Sequence, residues 1–566
     1  MKNIDDISEK VEKRKTQLQP LFVKDKENYD LWIGKEQIFD THPMSVNVTG
    51  TEMVSLARRT QASITRSRLD IHVWTFKSLE NADATKTANQ EERMHYFGFD
   101  EADERLITIG ETPLLPATAW QAIVLGRTAV RVLVYLDKKT GKVVWDFLPM
   151  NPAFLTFSFD DKGLAWYRYE TFRSPDAIKS EYGKEVTEDV QGKGISVSDY
   201  WDREHNVRYL TEEKEALSFE VDGKSVTAWE HELEEVPAII LPVAGGPKAI
   251  DTEGIQITQW GQSIFDHLKK PFRSQNKLKS IAATHAHLLA KAPLDHTYKD
   301  GTTSTLEEDQ FNFYPGAKLS HSDSETLQSM KIADIPASLM AIIGDGESGL
   351  ERASYAALNP DKPSHSGTAL RILGQDKLDF ESPILATMNT LYTRIPRMAK
   401  KQIVAHELTI PVKTVVNGEY QDYEMAPAKL DNDFPIKAEF VNQDVYSEVE
   451  ALQEAQLFQQ NRWMDRETIM DKKLRIQDVP TTNAKIDMDT IEAMIPELKI
   501  PELIIAYQEK GDQLSLDKAK ILKEKLFLLQ SEQRNAVMPQ EGAPAGGQPT
   551  PRTASTARSP VPGVPQ

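Results

Sequence analysis

The sequence predicts an α+β chain built from several packed units, and three observations carry that reading. Apolar runs with a period of two cluster between residues 130 and 243, separated by turn signals. Long helical patterns with apolar residues at i, i+3 and i+4 dominate 256–292 and 368–407. At 566 residues the chain exceeds one hydrophobic core, and a domain per roughly 150 residues gives about three or four units. No internal repeat of roughly 20–50 residues is visible, which argues against solenoids and propellers.

Residues 3–19 read as a polar, charged helix, followed by an aromatic cluster, Tyr29, Leu31, Trp32 and Ile33, that suits an anchor into a neighbouring core. A second helix is expected over 51–66 and a third over 117–125, with Gly126 as its C-terminal cap. The runs 130–135, 143–148, 154–159 and 164–172, with turns at 138–141 and 160–163, predict one antiparallel meander. Ser174 and Pro175 then supply a cap and a first-turn proline for a short helix ending at Gly183. A further hairpin is expected to turn at Asp222 and Gly223 before the apolar run 238–243.

The helical pattern 256–292 contains Pro271, an expected kink. A turn-rich stretch with a strand signal at 311–314 follows, then a helix over 336–358. The segment 359–367 has the composition of an exposed loop and precedes a long helix, 368–407, which Pro383 and Pro396 should bend. Strands are expected at 412–416 and 436–441 and helices over 445–473 and 487–533. Beyond 539, proline among small polar residues predicts disorder.

Composition narrows the function. Hydrophobic residues make up 40% and charged residues 27%, a balance suited to a folded chain. No cysteine is present, which excludes disulfides, thiolate metal sites and cysteine nucleophiles and suits synthesis in a reducing cytosol. The first 13 residues are charged and do not read as a signal peptide, so the chain is expected to stay in the cell that makes it. The apolar stretch 119–136 is broken by Gln121, Gly126, Arg127 and Arg131 and reads as core, with no membrane partner. A net charge of −19 disfavours gripping nucleic acid over the general surface.

No phosphate-cradling loop is found, and 344–349 lacks the spacing of a nucleophile elbow and reads as a break within a helix. His285 and His287 would point about 200° apart on a helix, which is poor metal geometry. Asp160–Asp161 and 431–433 read as turns, so no catalytic residue, metal or cofactor is expected. The densest basic cluster is Lys269, Lys270, Arg273, Lys277 and Lys279, with Lys269, Arg273 and Lys277 on one helix face. That face serves either as rings of positive charge around a channel or as a solvated surface balanced by acidic neighbours.

Taken in order, the helix and meander, the helix–small unit–helix of 256–358, the Pro/Ser/Gly loop and the long helix resemble the portal-protein family of tailed bacteriophages. Tyr29-Asp30-Leu31-Trp32-Ile33-Gly34, Asp176-Ala177-Ile178-Lys179 with Tyr182-Gly183, and Ser366-Gly367-Thr368-Ala369-Leu370 strengthen the likeness; the last is similar to the family's Ser-Gly-x-Ala-Leu helix start. The resemblance covers roughly residues 25–480. It implies an N-terminal helix (1–24), a wing (25–250 and 367–480), stem helices (251–299 and 336–358), a clip (300–335), a tunnel loop (359–366), a helical crown (481–533) and a disordered tail (534–566).

It further implies a ring of about twelve subunits at one capsid vertex of the virion, through which double-stranded DNA passes without sequence readout. The implied partners are the terminase large subunit, a head-to-tail adaptor, and the major capsid and scaffolding proteins, and no enzymatic activity is expected. Within the tunnel loop Asn359, Pro360, Asp361, Lys362, Pro363, Ser364, His365 and Ser366, the side chains of Lys362 and His365 are best suited to meet phosphate. Another virion structural or scaffold protein, or an uncharacterised hydrolase, are the rival readings.

Overall fold

The computed structural model describes residues 3–35, 45–75, 82–186, 192, 194–221, 224–244, 257, 260–290, 294–298, 325–329, 335–353, 367–416, 419–441, 455–460, 466, 469–470, 486, 520–521 and 523. The chain divides into two compact units, Met1–Ser447 and Glu448–Gln566. In the second, 455–460 are helical, and Ala455, Ile469 and Met470 are buried. Most of the helices expected over 445–473 and 487–533, and the tail 534–566, fall outside the described residues.

The first unit opens with α1 (Ile4–Trp32), capped by the Asn3 side chain, which accepts from the Asp5 N–H. Residue 19 does not end it. Ile7, Val11, Leu18, Leu21 and Leu31 continue one buried stripe past Pro20, and that burial outweighs the lost backbone bond. Of the aromatic anchor only half is inside: Leu31 is buried and Trp32 meets Trp120 edge-on at 5.5 Å, whereas Tyr29 and Ile33 are each 44% exposed.

Next come α2 (Glu52–Thr65), β1 (Arg68–Val73), α3 (Ala82–Thr108) and α4 (Leu114–Trp120), the last running into a π-turn, Gln121–Leu125, that Gly126 closes at φ +68°. β1 and α3 escape the sequence reading. Buried Glu91 and His95 interrupt α3's apolar stripe of Ala88, Met94, Phe99, Ala102 and Leu106.

The strands β2 (Arg127–Asp137), β3 (Lys142–Pro149), β4 (Leu155–Asp160) and β5 (Gly163–Arg173) occur where expected, but not as one meander. After α5 (Pro175–Tyr182) follow β6 (Ile195–Asp202), β7 (His205–Leu210), β8 (Glu215–Ala216), β9 (Phe219–Val221), β10 (Lys224–Val226), β11 (Ala228–Glu230) and β12 (Ala238–Pro242). One sheet has the order β12-β2-β3, and another β11-β7-β6-β5-β4 with β8 beside β7. The split falls at Pro149–Pro152, where two prolines donate no ladder bond and Asn151 caps a 3₁₀ turn by accepting from the Ala153 N–H at 3.0 Å. α5 has the expected Ser174 cap and Gly183 end, while the turn residues Asp222 and Gly223 lie outside the described residues.

A chain of alternating charges joins the two sheets. Arg131 on β2 reaches Asp146 on β3 at 2.7 Å and Asp199 on β6 at 3.1 Å. Arg105 takes the other oxygen of Asp146, and Asn206 donates to Asp199 at 2.6 Å. Every carboxylate here has at least two partners, the condition under which buried charge is tolerated.

The chain continues through α6 (Lys269–Ala290), β13 (Leu294–Tyr298), β14 (Glu325–Ser329), α7 (Ala337–Ala353), α8 (Gly367–Ala405), β15 (Ile410–Val416), β16 (Glu419–Met425), α9 (Pro427–Leu430) and β17 (Ile436–Val441). The strand signal at 311–314 lies outside the described residues; β13 and β14 pair antiparallel instead, and β13 falls inside the stretch read as the first stem helix. α8 is the expected long helix and keeps both Pro383 and Pro396 inside it. β1 pairs antiparallel with β17, so distant segments share one ribbon above the core formed by α2, α3, α8 and β2–β3.

Glu91 on α3 receives Lys400 of α8 at 2.8 Å and Asn432 at 3.1 Å, with His95 3.7 Å away. Burial disfavours the Glu91 carboxylate, but His95 and Lys400 outweigh it and hold the carboxyl below its ordinary range. Burial also lowers the His95 imidazole, against the pull of Glu91, so the folded ring is neutral. Both groups bind protons less readily when folded, so the stability they lend is complete above about pH 6.5 and is lost on acidification, His95 first. In urea titrations across pH, wild type should lose stability relative to His95→Gln below about pH 6.5, by at most about 1.4 kcal/mol per pH unit. A constant gap between the two proteins contradicts a neutral buried His95.

Candidate functional site

The predicted basic cluster lies on α6, and the helix is shorter than its apolar pattern. Residues 264–268 form turns, and the helix proper starts at Lys269 instead of 256. Ser263 is the cause: its hydroxyl donates to Ile123 O at 3.0 Å and accepts from Phe265 N–H, while Asp266 accepts from Ser263 N–H at 2.9 Å. Pro271 therefore sits in the first turn, where its missing N–H costs nothing, and the expected interior kink does not arise.

α1 clamps this root. Lys24 donates to Gly261 O at 2.9 Å and pairs with Asp266 at 2.7 Å, and Glu27 reaches Lys269 at 3.4 Å. Beside them the Asp25–Arg127 pair, 2.5 Å apart, is fully buried; burial pushes the Asp25 carboxyl up against the pull of Arg127. Gly261, at φ +93°, lets the root approach the backbone at Gly126: a Cβ there would meet Gly126 O.

The helix divides the predicted cations into two sets. Lys269 is held by Glu27 and Asp266, and Lys279 by Glu52 at 3.0 Å, so neither faces open solvent. Lys270, Arg273 and Lys277 are exposed. At 100° per residue these three fall within an arc of about 60°, opposite buried Phe272 and Gln275. The expected stripe Lys269–Arg273–Lys277 is thus corrected by one position, because the acidic side chains of α1 and the root capture Lys269.

On the flank next to this stripe an extended segment, 45–50, lies along α6. Asn276, Ser280 and Thr284 accept from the N–H groups of Gly50, Val48 and Val46 at 3.0, 2.9 and 2.9 Å. Four helical residues rise about 6.0 Å and two extended residues about 6.6 Å, so the register holds for three rungs. These polar residues had no assigned role in the sequence; their i, i+4, i+8 spacing was the available signal.

On the other flank α6 meets α7. Gln275 donates to Ile343 O at 2.5 Å, and Gly346 allows the approach, since a Cβ there would clash with Gln275 Oε1. The stretch 344–349 is helical throughout and does not break α7. His285 and His287 are half-buried on α6, and no group of three or more His, Cys, Asp or Glu suited to a metal occurs among the described residues. Asp160 ends β4, where it accepts from the Lys162 N–H of the turn at 2.8 Å and pairs with Arg203 at 2.6 Å, and Asn432 serves the Glu91 cluster. The loop 359–366, with Lys362 and His365, lies outside the described residues. No described helix is long and apolar enough to cross a membrane.

No protein-family model matches the chain, and no curated protein matches it.

Gly344 and Gly346 separate helix propensity from packing. A Cβ at Gly344 meets nothing within 4 Å, so Gly344→Ala should raise stability by about 0.5–1 kcal/mol. Gly346→Ala should gain less than Gly344→Ala, by about 1 kcal/mol, because displacing the Gln275 bond to Ile343 O offsets the same helix-propensity gain. Thermal and urea unfolding of the two variants check this; equal gains would refute the close approach of Gln275.

Proposed function

We propose that the chain is a portal subunit that assembles into a ring around passing double-stranded DNA, at one vertex of a phage capsid. The observation that carries the reading is α7. Leu339, Met340, Ala341, Ile342 and Ile343 are consecutive apolar residues, yet the chain buries only Ile343 fully, leaving Met340 and Ile342 each 54% exposed. Two residues apart on a helix, these side chains point about 200° from one another. A helix apolar on opposite flanks needs cover on both. A two-fold dimer supplies one self-complementary patch, whereas a closed head-to-tail ring gives each subunit two neighbours.

The arm around α7 supports the same reading. α6 precedes β13 and β14 precedes α7 in the chain, and the two strands pair while the two helices pack, which suits the stem and clip that this reading requires. In a ring of about twelve, Lys270, Arg273 and Lys277 form tiers of positive charge within an assembly whose subunits each carry −19. Such tiers attract phosphate transiently, while the acidic remainder keeps the duplex from sticking. A terminase motor and a head-to-tail adaptor are the partners this role requires, with capsid and scaffolding proteins around the vertex.

Native mass with end-on images tests assembly. A closed ring of about twelve chains with a central hole of duplex width is expected, and a monomer or dimer at every concentration would sink the reading. The stripe has its own test: replacing Lys270, Arg273 and Lys277 with Gln should weaken duplex binding and flatten its salt dependence by about one unit for each phosphate no longer neutralised. Lys269→Gln should leave that slope unchanged and lower the unfolding midpoint.

A further inference from the structure

With 86 acidic against 67 basic residues, a cation on this chain has carboxylates in abundance to pair with, yet three arginines of one helix face have none. Arg58, Arg59 and Arg66, on α2 and its C-terminal cap, are exposed, and none has a hydrogen bond or ion pair among the described residues. At 100° per residue they fall within an arc of about 100°, with the small residues Ser55 and Ala62 between them and the buried Met53, Leu56, Thr60 and Ile64 opposite. The one acid of α2, Glu52, is held by Lys279 at 3.0 Å. A guanidinium offers paired, weakly hydrated donors to a carboxylate, so a face of open arginines suits an acidic protein surface.

The face continues onto α1. Val54 begins the i, i+4 row that runs through Arg58 and Ala62, and a Cβ at Gly34 would come 3.9 Å from Val54. That approach brings the end of α1, with exposed Tyr29 and Ile33, to the start of the row.

The C-terminal end of α3 is the complement. Asp100, Glu101 and Glu104 are exposed within an equal arc, opposite the buried Phe99, Ala102 and Leu106, and their carboxylates have no partner among the described residues. Desolvation, and then the like charges of Asp103, Glu101 and Glu104, push the Asp100 carboxyl up. The neighbouring cation, Arg105, is spent on Asp146. Ile107 and Ile109 stand exposed just beyond. Each surface therefore joins three like charges to two exposed apolar side chains, and the charges are opposite. No ion pair joins the two surfaces within one chain among the described residues.

We propose that the arginine face of α2, flanked by Tyr29 and Ile33, docks on the acidic end of α3, flanked by Ile107 and Ile109, in a second copy of this chain. Two different patches that fit one another make a head-to-tail contact, which closes into a ring or, reciprocated across a two-fold axis, into a dimer. The contact rests on the ring reading for the number of copies joined, and on its own residues for the surfaces. Apolar side chains supply attraction at its centre, while the charges set the register and offset repulsion between chains of net charge −19. Phosphate is the rival anion, but the acidic chain and the apolar flank favour a protein surface over nucleic acid.

The test follows the mass of the full-length protein against concentration by sedimentation velocity and mass photometry. Arg58→Glu with Arg59→Glu, and separately Glu101→Lys with Glu104→Lys, should each raise the concentration needed for assembly at least about tenfold, since like charges then face one another. The unfolding midpoint should stay near that of wild type, because these side chains are exposed and unpaired. An equimolar mixture of the two double variants should assemble again, since every junction then pairs opposite charges, a recovery that misfolding cannot imitate. If charge reversal disturbs folding, Arg58→Gln with Arg66→Gln gives the same readout with a severalfold shift. Wild-type rings that neither double variant weakens, or no recovery on mixing, overturn the contact and leave the ring reading in place. A dimer that the variants split and mixing rebuilds keeps the contact and removes the ring. Wild type that stays monomeric at every concentration overturns both. Normal assembly of the arginine variant with loss of duplex binding assigns the face to nucleic acid and overturns the proposal.

Discussion

An extended strand leaves a row of N–H and C=O groups on each side, and here helices, rather than further strands, satisfy many of them. On β17, Asn389, Thr393 and Arg397 of α8 bond to the backbone of Phe440, Ala438 and Ile436. On β1, Tyr96 and Glu92 of α3 accept from Ile71 and Val73. Where β12 runs out along β2, Gln402 of α8 takes over, accepting from Val134 N–H and donating to Val132 O. The ladder of α6 on 46–50 is the same device. It works because four helical residues and two extended residues cover nearly the same length. It also closes strand edges that would otherwise invite pairing with other chains.

This constraint explains why the helices carry polar side chains on faces that pack inward. Asn276 and Ser280 are buried, and so is Gln402. A purely apolar face would leave the neighbouring N–H groups desolvated and unpaired, at a cost of about 1–3 kcal/mol each. The charge chain between the sheets follows the same rule, since Asp146 and Asp199 are each shared between donors. Polar burial thus fixes which elements neighbour one another, while the apolar clusters fill the space between them.

Electrostatically, the acidic chain spends many of its cations internally. Lys269, Lys279, Lys400 and Arg131 all meet carboxylates, and Lys270, Arg273 and Lys277 form an exposed stripe on a helix that α1 clamps at its root. A clamped root and a shared flank with α7 hold that stripe at a fixed angle to the sheets. An arm so supported presents charge and apolar surface in set positions.

Local sequence determined the elements whose signals are local. Gly126 and Gly183 end their helices because only a left-handed turn closes them there, and the period-two runs from 130 to 172 became β2–β5. The basic helix and the long α8 were legible from periodicity. Tertiary structure alone decided where charge and polarity were partnered at a distance. Spacing put Lys269 in the stripe with Arg273 and Lys277, but Glu27 and Asp266 claimed it, and α3 stayed hidden because Glu91 and His95 break its stripe for the sake of Lys400 and Asn432, more than 300 residues on. The division of the meander into two sheets was set by prolines that sequence showed, but its outcome depended on β12 returning beside β2. Pairing energies of this kind belong to contacts between distant residues, and no local period records them.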